Sequence, residues 1–459
     1  MRFLPLLFLL ALIVGCVSVS TEPGERFAIR NVTVIDPDGV REDQTVVVSG
    51  DEIVYAGNSV GAPAATGTID GEGRYLIPGL WDMHVHLTYD DRFTPTMPAM
   101  FIRWGITSVR DTGGMLPELL PVVARMRIPS IAAPRVWFSG PLQDGRHVVY
   151  DGDSRPLIGT DNPTPEAARA NVQAVHAAGA SFIKIYELVS PEVFEALRDE
   201  ARSLDMPIAS HVPLSMKASV AGPQTDSMEH LRNVELDCAA DHEALAATRV
   251  DILNTPDPDS GYALRAGLHQ LQRLPAIANL DDDRCDVVLA SLTNTIQVPT
   301  LRLNAMAFAP PSEAPGWTAA LAEMPDSVVE DWGRPNPRFP DDPADRDLRF
   351  ATYSLDMVGR MNRAGVPIGA GTDTPIGRAI PGYSLHRELE MLVEAGLTPL
   401  EAITAATVQP ARFVGMQDEM GRVQSGMKAD LVLLDANPLA DIRNTTVIRH
   451  VISQGVIVR

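Results

Sequence analysis

Residues 76–373 alternate short apolar runs with stretches of helical pattern, and this alternation constrains the fold more than any other feature of the sequence. Apolar runs separated by helices predict strand–helix units around a parallel sheet. No GxGxxG motif follows a run, so the sequence gives no indication of a dinucleotide site. Eight such units favour a closed (β/α)8 barrel over an open, doubly wound sheet. The eight runs lie at residues 76–87, 106–112, 134–140, 182–187, 207–212, 227–231, 297–303 and 367–373.

The two ends of the chain differ from this middle part. Residues 27–75 and 418–459 contain short strand-like runs separated by Gly and Asp turns, which is typical of antiparallel β structure. Neither end is large enough to form a stable sheet alone, so we expect them to form one small β-sandwich together. The barrel then occupies residues 76–417, with insertions around 240–350 where the connections exceed what a strand–helix unit needs.

Residues 1–15 have the features of a signal peptide. Arg2 precedes an almost unbroken apolar run from Phe3 to Val14, which is too short to span a bilayer comfortably. The run ends in Ile13-Val14-Gly15-Cys16, which resembles a bacterial lipobox and implies cleavage before Cys16 and lipidation of that cysteine. Residues 16–26 then form a flexible tether, and we expect the protein in the bacterial cell envelope, anchored by lipid on the periplasmic side or in the outer membrane. A plain secretory signal with an incidental cysteine is the alternative.

The charge of the chain bears on its partners. Its 59 acidic residues against 38 Lys and Arg give a formal net charge of −21, which disfavours nucleic acid and anionic lipid surfaces. We therefore expect a small-molecule or dipeptide substrate, with the lipid anchor as the one membrane contact, and leave a homo-oligomer open. Cys238 and Cys285 can pair in an oxidising compartment, but two lone cysteines leave their pairing undecided.

Histidines occur at the ends of several apolar runs. In Asp82-Met83-His84-Val85-His86, the two histidines are two residues apart on a strand, so they can offer two imidazoles to one metal ion. His211 and His230 end two later runs, and catalytic groups in barrels lie at the carboxyl ends of strands. Either histidine alone is more often a core residue, but with the earlier pair they predict a metal centre. The histidines that lack this setting are predicted to be structural or surface residues: His147, His176, His242, His269 and His450.

Two further residues fit the same centre. Lys184 lies between Ile183 and Ile185, where a buried cation is costly. It either pairs with a buried carboxylate or is neutral and reacts with carbon dioxide to form a carbamate that bridges two metals. Asp373 follows Gly371-Thr372, and is either a helix N-cap or a metal ligand that also accepts a proton.

These residues resemble the binuclear centre of the amidohydrolase superfamily in kind and order. The similarity is closest to its imidazolonepropionase-like and prolidase-like (Xaa-Pro dipeptidase-like) branch. It covers nearly all of residues 27–459 and is weakest at 240–350. The motifs that carry it are Ile77-Pro78-Gly79-Leu80-Trp81-Asp82, Thr107-Ser108-Val109-Arg110-Asp111-Thr112-Gly113-Gly114, Gly371-Thr372-Asp373 and Gly426-Met427-Lys428-Ala429-Asp430-Leu431.

The resemblance implies a metal-dependent amidohydrolase with two divalent ions, zinc in character, and a carbamate on Lys184. His84, His86 and Asp373 hold the more buried ion in that scheme, and His211 and His230 hold the more exposed one. The implied reaction is cleavage of an amide C–N bond by a metal-activated hydroxide, with Asp373 as general base and then acid. An Xaa-Pro dipeptide or an N-acyl amino acid is the expected substrate.

Tyr186 is the predicted substrate-binding residue. It follows Lys184 by two positions on the same strand, so it should face the pocket and donate a hydrogen bond to a substrate carboxylate or carbonyl. A packing tyrosine is the alternative. Two other functions stay open, namely a lactonase or phosphotriesterase on the same metals and a non-catalytic surface-binding lipoprotein. The cations that can supply charge for a substrate carboxylate are Lys217, Arg232, Arg302 and Arg378.

Overall fold

The computed structural model describes residues 26–153, 155–254, 260–335 and 344–459. The predicted signal peptide, Cys16 and the tether up to residue 25 lie outside the described residues. Across the part that is described, every helix is too short or too polar to cross a membrane.

The described residues form 17 strands, 16 α-helices and four short 3-10 turns. The strands are β1 Arg26–Asp36, β2 Gly39–Ser49, β3 Glu52–Asn58, β4 Gly67–Asp70, β5 Tyr75–Pro78, β6 Leu80–Val85, β7 Ile106–Asp111, β8 Arg135–Phe138, β9 Leu142–Gln143, β10 Gly159–Thr160, β11 Ile183–Ile185, β12 Ile208–Ser210, β13 Ser227–Glu229, β14 Ile296–Val298, β15 Leu431–Leu434, β16 Ile448–Ser453 and β17 Val456–Ile457.

The helices are α1 Met97–Arg103, α2 Leu116–Met126, α3 Pro165–Ala177, α4 Pro191–Ser203, α5 Ala218–Ala221, α6 Val234–Asp237, α7 His242–Leu253, α8 Gly261–Ala278, α9 Asp282–Ser291, α10 Leu301–Asn304, α11 Trp317–Leu321, α12 Asp326–Trp332, α13 Asp345–Arg363, α14 Tyr383–Glu394, α15 Pro399–Ala405 and α16 Val408–Phe413. Helices α1 to α9 alternate with the strands from β6 to β14, and α10 to α16 lie between β14 and β15.

Strands from both ends of the chain share one sheet. Its order is β17-β16-β15-β5-β1-β2-β3, with β4 beside β1. The two ends meet where β5 pairs with β1 in parallel and with β15 in antiparallel orientation, so that Leu76 lies opposite Leu433. Phe27, Ile29, Val46 and Leu431 are among the buried side chains that form a separate apolar core for this sheet.

The middle of the chain has a mixed α/β fold with a curled, parallel sheet. Strands β6-β7-β8 form one ladder, and β10-β9-β11-β12-β13-β14 form another. Seven of the eight predicted runs contain a strand, whereas residues 367–373 have only isolated bridges. This last segment still bonds to both ladders, because the amide of Gly369 donates to the carbonyl of Gln297 and the carbonyl of Ala370 accepts from Met83.

Local sequence explains where the helices of the curled region begin. The Thr164 hydroxyl accepts from the Ala167 amide and Pro165 is the first residue of α3. Ser190 and Pro191 repeat this arrangement at the start of α4. A hydroxyl cap followed by proline satisfies exposed backbone amides and presets the first helical φ angle, so both helices start at these positions, after short loops that follow β10 and β11.

The long connection between β13 and β14 is helical. It contains α6 to α9 among its described residues, and a disulfide joins Cys238, at the end of α6, to Cys285 in α9. The pairing that the sequence left undecided is therefore present in the structure. The disulfide links the end of α6 to α9, close to residue 240, where the predicted insertions begin.

Candidate metal centre

The six predicted ligands all lie at or near strand ends on one edge of the curled sheet. His84 is in β6 and His86 follows it, Lys184 is the middle residue of β11, and His211 and His230 directly follow β12 and β13. Asp373 lies in the segment that bonds to β6, where its amide donates to the carbonyl of His84 at 2.7 Å. Parallel neighbours end at the same edge, and this brings residues from distant parts of the sequence together.

The structure places five of these residues in direct contact. Oδ1 of Asp373 lies 3.4 Å from Nε2 of His84 and 3.2 Å from Nε2 of His86. The ring of His230 lies 4.5 Å from that of His84 and 4.8 Å from that of His211, measured between centroids. His84, His230 and Asp373 each offer one ligand atom within 4.8 Å of the others, which is the spacing that a shared metal ion requires.

Each of the four histidines has an acceptor at Nδ1. His84 lies 2.6 Å from Oε2 of Glu229, and His86 lies 2.9 Å from the carbonyl oxygen of Gly113. Carboxylates and carbonyls only accept, so Nδ1 carries the proton in both rings. In the neutral form of either ring, Nε2 therefore presents a lone pair, which is the form that binds a metal.

The other two histidines follow the same rule. Nδ1 of His211 lies 2.7 Å from Oε1 of Glu187. Nδ1 of His230 lies 2.6 Å from Oγ1 of Thr300, whose own proton is donated to the carbonyl of Pro299. The Thr300 hydroxyl must then accept from His230, and both rings again present Nε2 as the free acceptor.

Burial keeps most of these imidazoles neutral. It lowers the pKa of His84 to about 4, with a further contribution from Lys184, and it lowers the pKa values of His211 and His230 well below the usual range. His86 differs, because burial opposes its ionisation but the hydrogen bond to Asp373 and the charge of that residue raise its pKa. His84, His211 and His230 are thus neutral nitrogen donors beside the carboxylate of Asp373, and His86 can join them once it releases its extra proton.

Glu229 is a buried acid beside the candidate ligands for which the sequence predicts no role. Burial alone would raise its pKa, but Arg110, Lys184 and His84 lower it well below the usual range. Arg110 donates from Nη2 to Glu229 at 2.7 Å and from Nη1 to Ser227 at 2.9 Å. A carboxylate held in this way fixes the ring of His84, and its position directly before His230 was the available sequence signal.

Lys184 is a buried amine without a hydrogen-bond partner among the described residues. Its Nζ is 3.8 Å from Oε1 of Glu229, which is too long for a hydrogen bond. Its pKa is lowered to about 7, chiefly by burial; the charge of Glu229 opposes this shift and that of Arg110 adds to it. A substantial fraction of the amine is therefore unprotonated at neutral pH, as carboxylation by carbon dioxide requires.

The backbone at Asp373 is held in an uncommon conformation. Asp373 and His230 both have a φ of 61°, in the left-handed region that residues with side chains seldom adopt. Asp82 steadies this segment, since Thr372 donates to it from its hydroxyl at 2.6 Å and from its amide at 3.0 Å. Gly371 is required beside them, because a Cβ there would lie 2.8 Å from Cβ of His84.

Tyr186 lies beside the histidines and is 4% exposed. Its ring packs 4.4 Å from that of His211 and 5.7 Å from that of Tyr150, again between centroids. Burial raises its pKa well above the usual value, so the phenol is a neutral hydroxyl. The structure therefore puts Tyr186 next to the cluster, as the alternation along β11 predicts.

Three of the four candidate cations already have strong partners. Lys217 pairs with Glu243, and the Arg302 guanidinium donates to the carbonyls of Thr372, Ile376 and Gly377. Arg378 donates to the carbonyl of Arg334 at 2.8 Å.

Arg232 differs, since no described residue accepts a hydrogen bond from it and its Nε is buried. Glu187 lies 3.6 Å from that nitrogen, while burial and the charge of Arg265 lower the Arg232 pKa to about 10.

His269 is one of the histidines that the sequence predicts to be structural or surface residues. Its Nε2 lies 2.5 Å from Oε2 of Glu187, the acid that holds His211, so its structural contact is with a partner of the candidate metal centre. His269 sits on α8, far along the chain from the strand-end residues, and no strand motif surrounds it. The contact of His269 with Glu187 therefore cannot be predicted from the ends of apolar runs.

Comparison with known proteins identifies relatives of this chain. Residues 338–458 match the model of the amidohydrolase family. A segment of 83 residues is 45% identical to ochratoxinase from Aspergillus niger, covering 18% of this chain and 16% of that enzyme. Imidazolonepropionase from Streptomyces coelicolor is 24% identical over 416 residues, or 87% of each protein.

A solved structure of an Xaa-Pro dipeptidase shares the fold. It has a TM-score of 0.65 and 19% identity, and the alignment covers 94% of this chain and 99% of the dipeptidase. Together the matches confirm the predicted relation to the amidohydrolases. The family match lies in the C-terminal part of the chain, and the similarity to the dipeptidase is one of fold.

Proposed function

We propose that this chain, which carries an amidohydrolase family domain, is a hydrolase that uses two zinc ions to cleave the amide C–N bond of a small substrate with a free carboxylate. The observation that carries the proposal is the set of four imidazoles whose Nδ1 atoms are all engaged, beside Asp373 and the unpartnered Lys184. Nitrogen and oxygen donors of this kind suit zinc.

The scaffold that we infer for this centre is a closed (β/α)8 barrel. The segment at residues 367–374 supports closure, since it bridges in parallel to β14 at Ile368 and to β6 at Thr374. On the other side, the amide of Ser181, just before β11, donates to the carbonyl of Phe138 in β8. Eight strand segments then follow each other around one axis, with the histidines at their carboxyl ends.

In the proposed centre, His84, His86 and Asp373 hold one ion and His211 and His230 hold the other. The contacts of Asp373 with His84 and His86 support the first group. His230 lies between the two groups, since its ring is 4.5 Å from that of His84 and 4.8 Å from that of His211, so the two ions would be close neighbours. When bound, such ions polarise a carbonyl group and lower the pKa of water to about 7.

Lys184 is the proposed bridge between the two positions. Its neutral amine attacks carbon dioxide, an N–C bond forms, and the nitrogen loses a proton to give an anionic carbamate. The burial of the amine and the lack of a hydrogen-bond partner support this reaction. A carbamate replaces a cation that would repel metal ions with an anion that binds them.

Asp373 is the proposed general base and acid. Its pKa is lowered, because the hydrogen bond from His86 and the charges of His84, His86 and Arg302 outweigh the effect of burial. Oδ1 accepts a proton from the water that attacks the carbonyl carbon, and then delivers it to the leaving nitrogen as the C–N bond breaks. Arg302 keeps the segment in place through the carbonyls of residues 372–377.

The substrate that fits is an Xaa-Pro dipeptide or an N-acyl amino acid. Arg232, two residues beyond His230, lacks a hydrogen-bond acceptor among the residues described, and a substrate carboxylate can supply one. The Tyr186 hydroxyl, beside His211, can donate to the same group.

We also propose export and lipidation at Cys16. The Cys238–Cys285 disulfide supports an oxidising compartment such as the bacterial cell envelope, because disulfides seldom persist in the cytosol. The lipid would be the one membrane anchor, and the active site would meet small peptides outside the cytoplasm.

A substrate panel tests the proposed reaction. It contains Xaa-Pro dipeptides, N-acetyl amino acids, their amide-capped forms, a lactone and a phosphotriester, each with and without a metal chelator. We expect turnover of the free-carboxylate amides that the chelator abolishes and added zinc restores. Preference for the lactone or the phosphotriester would contradict amide hydrolysis, and metal binding without any turnover would favour a binding scaffold.

A further inference from the structure

Helix α8 presents a row of polar side chains to the metal centre. Arg265, His269 and Arg273 are spaced by four residues, so they lie along one face of this helix of 18 residues. Arg265 and His269 both contact the carboxylate of Glu187, whereas the neighbouring Gln270 is exposed. The helix belongs to the long connection between β13 and β14.

Glu187 joins this row to a proposed metal ligand. Its Oε1 accepts from Nδ1 of His211 at 2.7 Å and from Nε and Nη2 of Arg265 at 2.9 Å each. Its Oε2 lies 2.5 Å from Nε2 of His269. Glu187 is fully buried, so the orientation of its carboxylate depends on these three side chains and not on water.

The next contact along α8 fixes the proton on His269. Nη2 of Arg273 lies 3.0 Å from Nδ1 of His269, and a guanidinium nitrogen only donates. Nδ1 therefore accepts, and Nε2 carries the proton that is donated to Glu187. Arg273 is held in turn by Oε1 of Glu235 at 3.2 Å, which completes a buried chain of hydrogen bonds from Glu235 to His211.

The other histidines of the centre do not depend on this helix. His84 is held by Glu229 at the end of β13, His86 by the carbonyl of Gly113 after β7, and His230 by Thr300 after β14. These partners all belong to the curled sheet or to the residues that directly follow it. Among the four, His211 is the one whose acceptor is oriented from an inserted helix.

We propose that Arg265 and His269 are positioning residues for His211. Through them, α8 sets the metal affinity of the position that His211 serves. The metal position at His84, His86 and Asp373 is unaffected by the helix. The inference rests on the proposed function, because it assumes two metal positions. It goes beyond that function by assigning the inserted helix a role in metal binding. Partners of metal-binding histidines commonly change metal affinity 10- to 100-fold when they are removed.

The test compares His269→Leu with His269→Gln and Gln270→Leu. Leucine removes the donor to Glu187, glutamine restores an N–H at a similar distance along the side chain, and Gln270→Leu changes an exposed residue of the same helix. Arg265 is retained in all three, so the buried charge of Glu187 keeps its main counter-ion. Zinc is titrated into each metal-free protein in competition with a chromophoric chelator.

We expect His269→Leu to weaken one of two zinc-binding steps by about 10- to 100-fold and to leave the other unchanged. His269→Gln should stay within roughly threefold of the wild type, and Gln270→Leu should match it. Unchanged binding in His269→Leu would overturn the inference. Equal weakening of both steps, or the same loss in the glutamine variant, would overturn it as well, because a general effect on stability would then explain the result.

A wild-type chain that binds fewer than two zinc ions would contradict the proposed function itself. A wild type that binds two, with both steps unaffected in His269→Leu, would overturn only the role of α8.

Discussion

Arg232→Gln separates substrate recognition from metal chemistry. The Arg232 guanidinium has no hydrogen-bond acceptor in the part of the chain that the structure describes, and it lies close to His230 in sequence. A charge-assisted hydrogen bond is worth about 1.5–3 kcal/mol, and about 1.4 kcal/mol corresponds to a factor of ten. Because Glu187 at 3.6 Å already compensates part of the charge, we expect a loss of roughly 10- to 100-fold in kcat/KM for a substrate with a free carboxylate.

The assay measures kcat and KM on a free-carboxylate substrate and on its amide-capped form. The loss should appear mainly in KM for the free carboxylate, and the capped substrate should change less than about twofold. Lys217→Gln is the matched control, since it removes one positive charge that pairs with Glu243 on the surface. The free energy of unfolding should change little in Arg232→Gln, because the change removes repulsion with Arg265 and attraction to Glu187 together.

Equal losses on both substrates would refute this reasoning, because Arg232 would then act on the transition state or on the fold. A normal KM for the free carboxylate would remove Arg232 from the substrate site altogether.

Three further predictions address other parts of the molecule. Lys184→Ala should lose metal and activity, measured by metal analysis and turnover, and a small added carboxylate should partly restore both; full metal content in the variant would contradict the carbamate. Cys16→Ser should move the protein from the membrane to the soluble fraction on cell fractionation, whereas a variant that stays with the membrane would contradict the lipobox. The double change Cys238→Ser/Cys285→Ser should lower the free energy of unfolding by about 4 kcal/mol in denaturant titrations, because the disulfide closes a loop with a sequence separation of 47 residues. Unchanged stability would show that the bond does not form.

The sequence predicted the strand-end positions well because their signal is local. An apolar run that ends in histidine, as at His84 and His230, reveals both the strand and the side of the sheet where its end lies. Alternation along β11 likewise predicted that Lys184 and Tyr186 lie on the same side. The family resemblance supplied the order of the candidate ligands, which no single motif contains.

The partners of the ligands were harder to predict because they come together only in three dimensions. Thr300 reaches His230 from 70 residues away, and His269 reaches Glu187 from 82 residues away. Nothing in the sequence around His269 distinguishes it from a histidine on a helix surface. Contacts of this kind follow from the packing of α8 against the sheet edge, and the sequence does not specify that packing locally.

The last predicted strand shows a different limit of predicting structure from the sequence. Residues 367–373 have the apolar pattern of a strand, but the structure has only isolated bridges there. The positive φ of Asp373 and the hydrogen bonds from Thr372 to Asp82 replace regular pairing near its end. These local contacts fix the backbone there, so a pattern that predicts regular strands is misleading at this point.

Metal content measured together with activity tests the central claim most directly. The purified chain should contain about two zinc ions, lose its amide-hydrolysing activity when they are removed by a chelator, and regain it when zinc is returned. A metal-free preparation that retains full activity would contradict the account.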